Sequence, residues 1–244
     1  MKNISLFTLL FVVGFTCFAQ KVSVIEIKNV NVNDGKNIVE ALPADTIYIF
    51  PEFTQGKIFF KNGIIDSAKF NYNTLISEMQ FLDKNKNILS VLNPQDVSHV
   101  IIDNRVFCYV SEKSFAELLV NFNAVRFLKK CRIEYAYTQD KTAAYGQSSS
   151  TTSVVNYKNV YANGDDKKLA VYRDIKFKII ADFFFETNGK FNKANNKNSF
   201  VKIFPQCKEE INKYVSAKKV DFKNEQDLIK LTNYCIQLIT TKNE

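Results

Sequence analysis

The chain predicts an α+β fold: an antiparallel β-meander, barrel-like or split into two packed sheets, followed by a helical C-terminal segment. Three observations carry this. From Phe53 to Tyr137, short β-rich runs alternate with polar turns roughly every ten residues. Phe and Tyr are abundant, 22 and 11 residues against no Trp, and both suit a half-buried pleated surface. Beyond Asn192 the apolar residues recur at helical spacing instead. Turns this closely spaced leave no room for crossover helices, so neighbouring strands are expected to be antiparallel. Roughly eight or nine such strands suffice to curl or to form two layers.

In chain order, residues 1–19 read as a signal peptide. Lys2 precedes an apolar run from Ile4 to Phe15, and Cys17-Phe18-Ala19 places small residues where a signal peptidase inspects them. Cleavage is expected between Ala19 and Gln20. Lipid anchoring at Cys17 is not expected, because Thr16 stands where Gly, Ala or Ser is wanted and Gly14 where Leu is wanted. No other apolar run reaches the ~18 residues of a bilayer span, so no transmembrane segment is expected once the signal is removed. The protein is therefore expected in the periplasm or outside the cell. Residues 20–190 form the expected β-rich body and 191–244 a helical segment packed on it.

Within the body, Gly56 to Phe60 is β-rich and meets Asn62-Gly63, a strong hairpin signal because both residues tolerate positive φ. Ile64 to Tyr72 and Leu75 to Leu82 flank an Asn-rich corner at Asn71 and Asn73. Asp83 to Asn87 is a polar turn, and Ile88 to Leu92 stops at Asn93-Pro94, since proline cannot donate to a ladder. Val97 to Ile102 turns at Asp103-Asn104-Arg105 into Val106 to Val110. Phe115 to Val120 is read as a strand, although Ala-Glu-Leu-Leu within it also suits a helix. Asn121-Phe122-Asn123 leads into Ala124 to Leu128, and Arg132 to Tyr137 ends the series.

Residues 139–164 change character. The run from Ala144 to Ser153 is small and polar, and a loop of this length is mobile or functional. Its Tyr145 is a candidate ligand contact if the loop folds over the sheet. Leu169 to Phe185 then reads as one or two strands ended by Asn188-Gly189, with a polar turn from Asn192 to Asn198. In the tail, Ser199 is a plausible cap for a short turn to Phe204. Pro205 starts a helix to about Ala217, with Ile211, Tyr214 and Val215 on one face. Asn224 caps a helix from Glu225 to about Thr240, whose Leu228, Leu231, Cys235 and Leu238 form one stripe.

The net charge is +8, or +7 once Lys2 leaves with the signal. The lysines are scattered, in pairs at most (Lys129-Lys130, Lys167-Lys168, Lys218-Lys219), so no nucleic-acid partner is expected. Cys108, Cys131, Cys207 and Cys235 survive processing. Export favours disulfides, and Cys207 with Cys235 is the preferred bridge; free buried cysteine remains an equal reading. There is no CxxC spacing and only one histidine, His99, so neither a metal site nor a cofactor is expected.

No nucleophile-base motif or phosphate loop is present, and no catalytic residue is assigned. Ser98 and His99 are adjacent on an expected strand and should point to opposite faces. Glu52, Asp66, Glu78, Asp83, Asp96 and Asp103 are carboxylates that spacing alone does not pair. Asp165-Asp166 reads as a turn rather than a calcium loop. Glu78 and Gln80 share one strand face, and if the sheet curls they are candidate ligand contacts; a solvent-facing polar stripe is the plainer alternative.

Several landmarks stand together: Pro51 to Gly56, Lys61-Asn62-Gly63, Asn71-Tyr72-Asn73, Glu78 to Phe81, Asn104 to Phe107, Ala144-Tyr145-Gly146 and Phe222 to Tyr234. With them the chain resembles a family of uncharacterised exported Bacteroidota proteins, over most of its mature length. The resemblance implies an envelope location and assigns no catalytic residue. Three functions follow as expectations. First comes a non-catalytic interaction or scaffold protein of the envelope, with a protein partner. Second comes a β-barrel carrier of a small apolar ligand, and third a carboxylate-based hydrolase.

Overall fold

The computed structural model describes residues 28–30, 42, 44–111, 113–137, 158–159 and 175–242. The expected signal peptide, Cys17, Tyr145 and Asp165-Asp166 lie outside those residues, as does all of the expected loop over 139–164 except a two-residue strand. The described strands are β1 (Lys28–Val30), β2 (Thr54–Phe60), β3 (Ile65–Asn73), β4 (Glu78–Leu82), β5 (Ile88–Ser90) and β6 (Val97–Ile102). They continue as β7 (Arg105–Ser111), β8 (Ser114–Phe122), β9 (Val125–Tyr137), β10 (Lys158–Asn159), β11 (Ile175–Thr187) and β12 (Lys190–Lys193). The helices are α1 (Ala44–Ile47), α2 (Lys197–Ile203), α3 (Lys208–Lys218) and α4 (Glu225–Lys242), with 3₁₀ turns at Pro94–Asp96 and Pro205–Cys207. Among the described residues no helix is long and apolar enough to cross a membrane.

All pairings are antiparallel, and the fold is α+β with its helices at the C-terminal end. The order is β1-β11-β9-β8-β7-β6-β2-β3-β4-β5, with β10 on β9 and β12 on β11. The sheet is a single one and does not close into a barrel. It is also not one continuous meander: β2 to β5 and β6 to β9 are each meanders, but β6 pairs with β2 rather than with β5. The connector from β5 to β6 therefore passes β4, β3 and β2. Neighbouring strands lie about 4.8 Å apart. Even so, the Tyr72 ring on β3 stacks on Phe107 of β7, three strands away, with centroids 6.3 Å apart. The sheet curls strongly to permit this, and Lys113 at the β7–β8 turn reaches Glu78 on β4 at 3.4 Å.

One row of directly opposed residues explains the core. Ile58, Val100, Phe107, Glu117, Lys129 and Phe183 are successive partners across β2, β6, β7, β8, β9 and β11. Opposed residues share a face, so all six side chains lie on the inner face of the curl. At one end Ile58, Val100 and Phe107 join Phe70, Tyr72, Met79 and Phe115 in a first core. At the other end Phe183, with Phe127 and Phe185, packs under Phe200, Phe204, Ile211, Leu228 and Leu231 of the tail in a second. Each buried Phe or Leu contributes about 1.5–3 kcal/mol of transfer free energy. The tail stripe is placed as its spacing predicts, with Leu228, Leu231 and Cys235 fully buried.

Between the two cores sits an ionic seam. Glu117 accepts two hydrogen bonds from Arg105, at 2.6 and 2.7 Å. Lys129 lies 2.7 Å from Glu117 and 3.0 Å from Glu225 at the start of α4. Arg105 also stands over the rings of Phe50 and Phe107, 4.9 and 5.4 Å from their centroids. Burial alone would raise the Glu117 carboxyl, but Arg105 and Lys129 outweigh it and hold it below its ordinary value. Burial would likewise lower Lys129, and Glu117 and Glu225 reverse this. The seam fastens the helical tail to the sheet.

Ahead of β2 the chain bulges, and Asn71 fills the gap. Its side-chain carbonyl accepts from Phe50 N–H, and its amide donates to the Phe50 and Glu52 carbonyls, at 3.1, 2.9 and 3.2 Å. One side chain thus satisfies three backbone groups that the ladder leaves unpaired. The Asn-rich corner is explained in the same way: Asn73 Oδ1 accepts from Leu75 N–H and Ile76 N–H.

Candidate ligand groove

The curl leaves one part of its inner face uncovered by the tail. Over β2, β3 and β4 a groove of about 450 Å³ opens between that face and the connector Val91–Asp96. Its floor is Ile58, Ala68, Phe70 and Phe81, and its mouth is Phe60, Ile64 and Leu92 with Asn62, Asn93, Asp66 and Asp96. Local sequence builds each wall. On β3 the alternation Asp66-Ala68-Phe70 points three side chains inward, and the small Ala68 leaves room. Gly56 is opposite Ala68, and a Cβ there would meet the Ile101 carbonyl at 2.5 Å and the Phe70 ring at 3.1 Å. A side chain there would force the Ile101 backbone and the Phe70 ring aside.

The connector is held at both ends. Val91 N–H donates to the Met79 carbonyl at 3.0 Å, and Lys61 N–H to the Asp96 carbonyl at 2.9 Å. Pro94 begins the 3₁₀ turn, where its missing N–H costs nothing. Ile64 is 58% and Leu92 87% exposed at the mouth, a large apolar surface for solvent to cover. The groove's charged lining is acidic only, in a chain of net charge +8. Asp66 Oδ1 accepts from Ser67 N–H at 2.7 Å. Neither Asp66 nor Asp96 makes an ion pair among the described residues.

The candidates read from sequence lie elsewhere. Glu78 and Gln80 do share a face, as expected, but it is Met79 on the opposite face that enters the core. Glu78 and Gln80 are buried in a hydrogen-bonded relay. Tyr48 Oη donates to Gln80 Oε1 at 2.8 Å, Gln80 Nε2 donates to Ser90 Oγ at 3.3 Å, and Ser90 Oγ donates to Glu78. Their polar atoms are occupied by Tyr48, Ser90, Asn73 and Lys113. Cys207 and Cys235 are brought together in the second core, both fully buried, with Cys207 Sγ 3.9 Å from the Cys235 carbonyl. No disulfide joins the two in this structure. Burial, then the neighbouring Cys207, pushes the Cys235 thiol up to about 12.

Strand alternation separates Ser98 from His99, yet Ser98 Oγ reaches His99 Nδ1 at 3.1 Å. The expectation of opposite faces is corrected: the β2–β6 register shifts between Phe59 and Phe60, opposite His99 and Val97, so Ser98 lies at an irregularity where strict alternation fails. The imidazole also stacks on Phe59, with centroids 4.4 Å apart, and partial burial lowers its pKa. Among the remaining carboxylates, Asp83 caps its own turn through Asn85 and Asn87 N–H. Asp66 and Asp96, far apart in sequence, share the groove. Among the described residues no group of three His, Cys, Asp or Glu side chains is placed to hold a metal ion.

The groove itself was not legible beforehand, since it depends on the β2–β6 pairing. The one local signal was the polar-small-aromatic alternation of Asp66, Ala68 and Phe70. No family model, no curated protein and no solved structure matches the chain.

Proposed function

We propose that the chain is an exported binding module of a bacterial envelope that takes a small apolar or amphipathic molecule in this groove. One observation carries the reading: an apolar, solvent-open groove of about 450 Å³ on the inner face of the sheet, within the ~300–1,000 Å³ range of small-molecule sites. The envelope setting rests on the signal pattern of Met1–Ala19 and on the resemblance to exported Bacteroidota proteins. Native mass spectrometry of the mature chain purified from its own host tests the reading. A co-purifying mass that is lost in Ala68→Phe, a variant that fills the groove, is expected. An unliganded chain from the host, together with failure to take up any added apolar molecule, overturns it.

A second reading, an interaction protein, draws on a different feature. Among the described residues strand β5 is an unpaired edge of the sheet, with Ile88 50% and Leu89 44% exposed. Such an edge accepts a strand from a partner. Crosslinking from Ile88 in the native envelope would recover one recurrent protein if this reading holds.

A further inference from the structure

We infer that the groove selects a single-tailed amphiphile with a cationic ammonium head; this rests on the binding-module reading and specifies its ligand. The groove's two carboxylates are gathered at one end, which Phe60 and Ile64 also line. At one end Phe70 and Phe81 are cross-strand partners with ring centroids 6.2 Å apart, a wholly apolar terminus. At the other end lies the β2–β3 hairpin. Asp66 is the register partner of Ile58, close to that turn, and Asp96 is bound through its carbonyl to Lys61 N–H in the turn. Both carboxylates therefore stand at the same end. Both are exposed and neither has a cationic partner among the described residues.

The carboxylates that are paired, Glu117, Glu134, Asp182 and Glu186, are buried or partly buried, whereas Asp66 and Asp96 share with other exposed carboxylates the absence of an ion pair and differ from them in lining a groove. The chain as a whole carries +8 and would draw anions by its long-range field. A groove rimmed by two unpaired carboxylates opposes that field locally. Lys61 is at the same turn but gives its backbone N–H to Asp96 and forms no ion pair with either carboxylate. An alkyl tail laid on Phe70 and Phe81 brings its head group to Asp66 and Asp96.

Calorimetric titration of the mature chain with decylammonium, decyl sulfate and 1-decanol, each below its micelle-forming concentration, is the test. One decylammonium per chain is expected, bound about tenfold tighter than decyl sulfate, since exposed charge pairs are individually weak. The paired change Asp66→Asn and Asp96→Asn alters exposed side chains, and it should reduce that preference to within about twofold while decanol binding is unchanged. In the unaltered chain, raising salt should weaken decylammonium binding and leave decanol binding alone. Equal or tighter binding of decyl sulfate, or a preference that survives the paired change, overturns this inference. Decanol binding that is lost in Ala68→Phe would still uphold the groove. Failure of all three ligands to bind overturns both.

Discussion

Individual residues decide how charge and polarity are carried inside this molecule. Lys129 is the clearest case. In sequence, Lys129-Lys130-Cys131 looks like a break, and two strands are expected around it. In the structure β9 runs unbroken through it, because Glu117 on the adjacent strand and Glu225 on α4 neutralise the buried ammonium. A cross-strand partner a dozen positions away is invisible to local reading. The seam predicts a pH dependence of definite sign. Glu117 has a lowered pKa in the fold, so its contribution is complete above the ordinary glutamate value of 4.5 and is lost as pH falls through and below it. Lys129 has a raised pKa, so its contribution is complete below 10.5 and is lost as pH climbs beyond it. Urea midpoints should fall between pH 5 and pH 3, and Lys129→Met should lower the midpoint at pH 7 while making that acid limb shallower. An unchanged acid limb in the variant would remove the seam from the account. Tyr72 gives a prediction of the opposite kind. Its buried hydroxyl lies near Ser77 and the Phe115 backbone but makes no hydrogen bond of ordinary geometry among the described residues. An unsatisfied buried polar group contributes nothing and costs desolvation. Tyr72→Phe should therefore be neutral or stabilising, by up to about 1 kcal/mol in chemical denaturation.

At the scale of elements, boundaries followed local chemistry where the turn was encoded by positive-φ residues. Strand β6 spans Val97–Ile102 as its pattern predicts, and Asn188-Gly189, both at positive φ, ends β11. Asn224 caps α4 through Asp227 N–H at 3.1 Å, as expected. Where a second side chain shares the work, the reading shifted. Asn196 caps α2 and Ser199 completes its capping box three residues on, so the expected cap is the helix's third residue. The strand expected from Leu75 begins only at Glu78, because Asn73 holds Thr74 to Ser77 in a turn, with Ser77 at φ 56°. The short strand β12 is not expected from the sequence, and its second half, Asn192 and Lys193, takes up the start of the expected polar turn. Gly56 tests how strands β2, β3 and β6 meet. Gly56→Ala places a methyl against backbone rather than a flexible side chain, so the Phe70 ring and the β2–β6 ladder must both shift. A loss of about 1–3 kcal/mol is expected from overpacking, together with weaker ligand uptake. A thermally unaffected Gly56→Ala variant would show the approach to be looser than described.

For the whole molecule, the class of fold and the order of strands and helices were readable, because closely spaced turns force antiparallel pairing and the tail carries a helical stripe. The long-range step was not: β6 returns to β2 rather than adding beside β5, and no local pattern encodes that choice. The groove is the product of that step, since the connector that crosses the sheet forms its second wall. This is also why spacing alone does not pair Asp66 with Asp96 among the candidate carboxylates. The groove is the proposed working surface, and methyl NMR reads it directly. Titrating decylammonium into the mature chain with labelled Ile and Leu methyls should shift Ile58, Ile64 and Leu92 while Leu228 and Leu231 in the second core stay in place. Shifts confined to the tail helices, with the groove methyls unmoved, would contradict it.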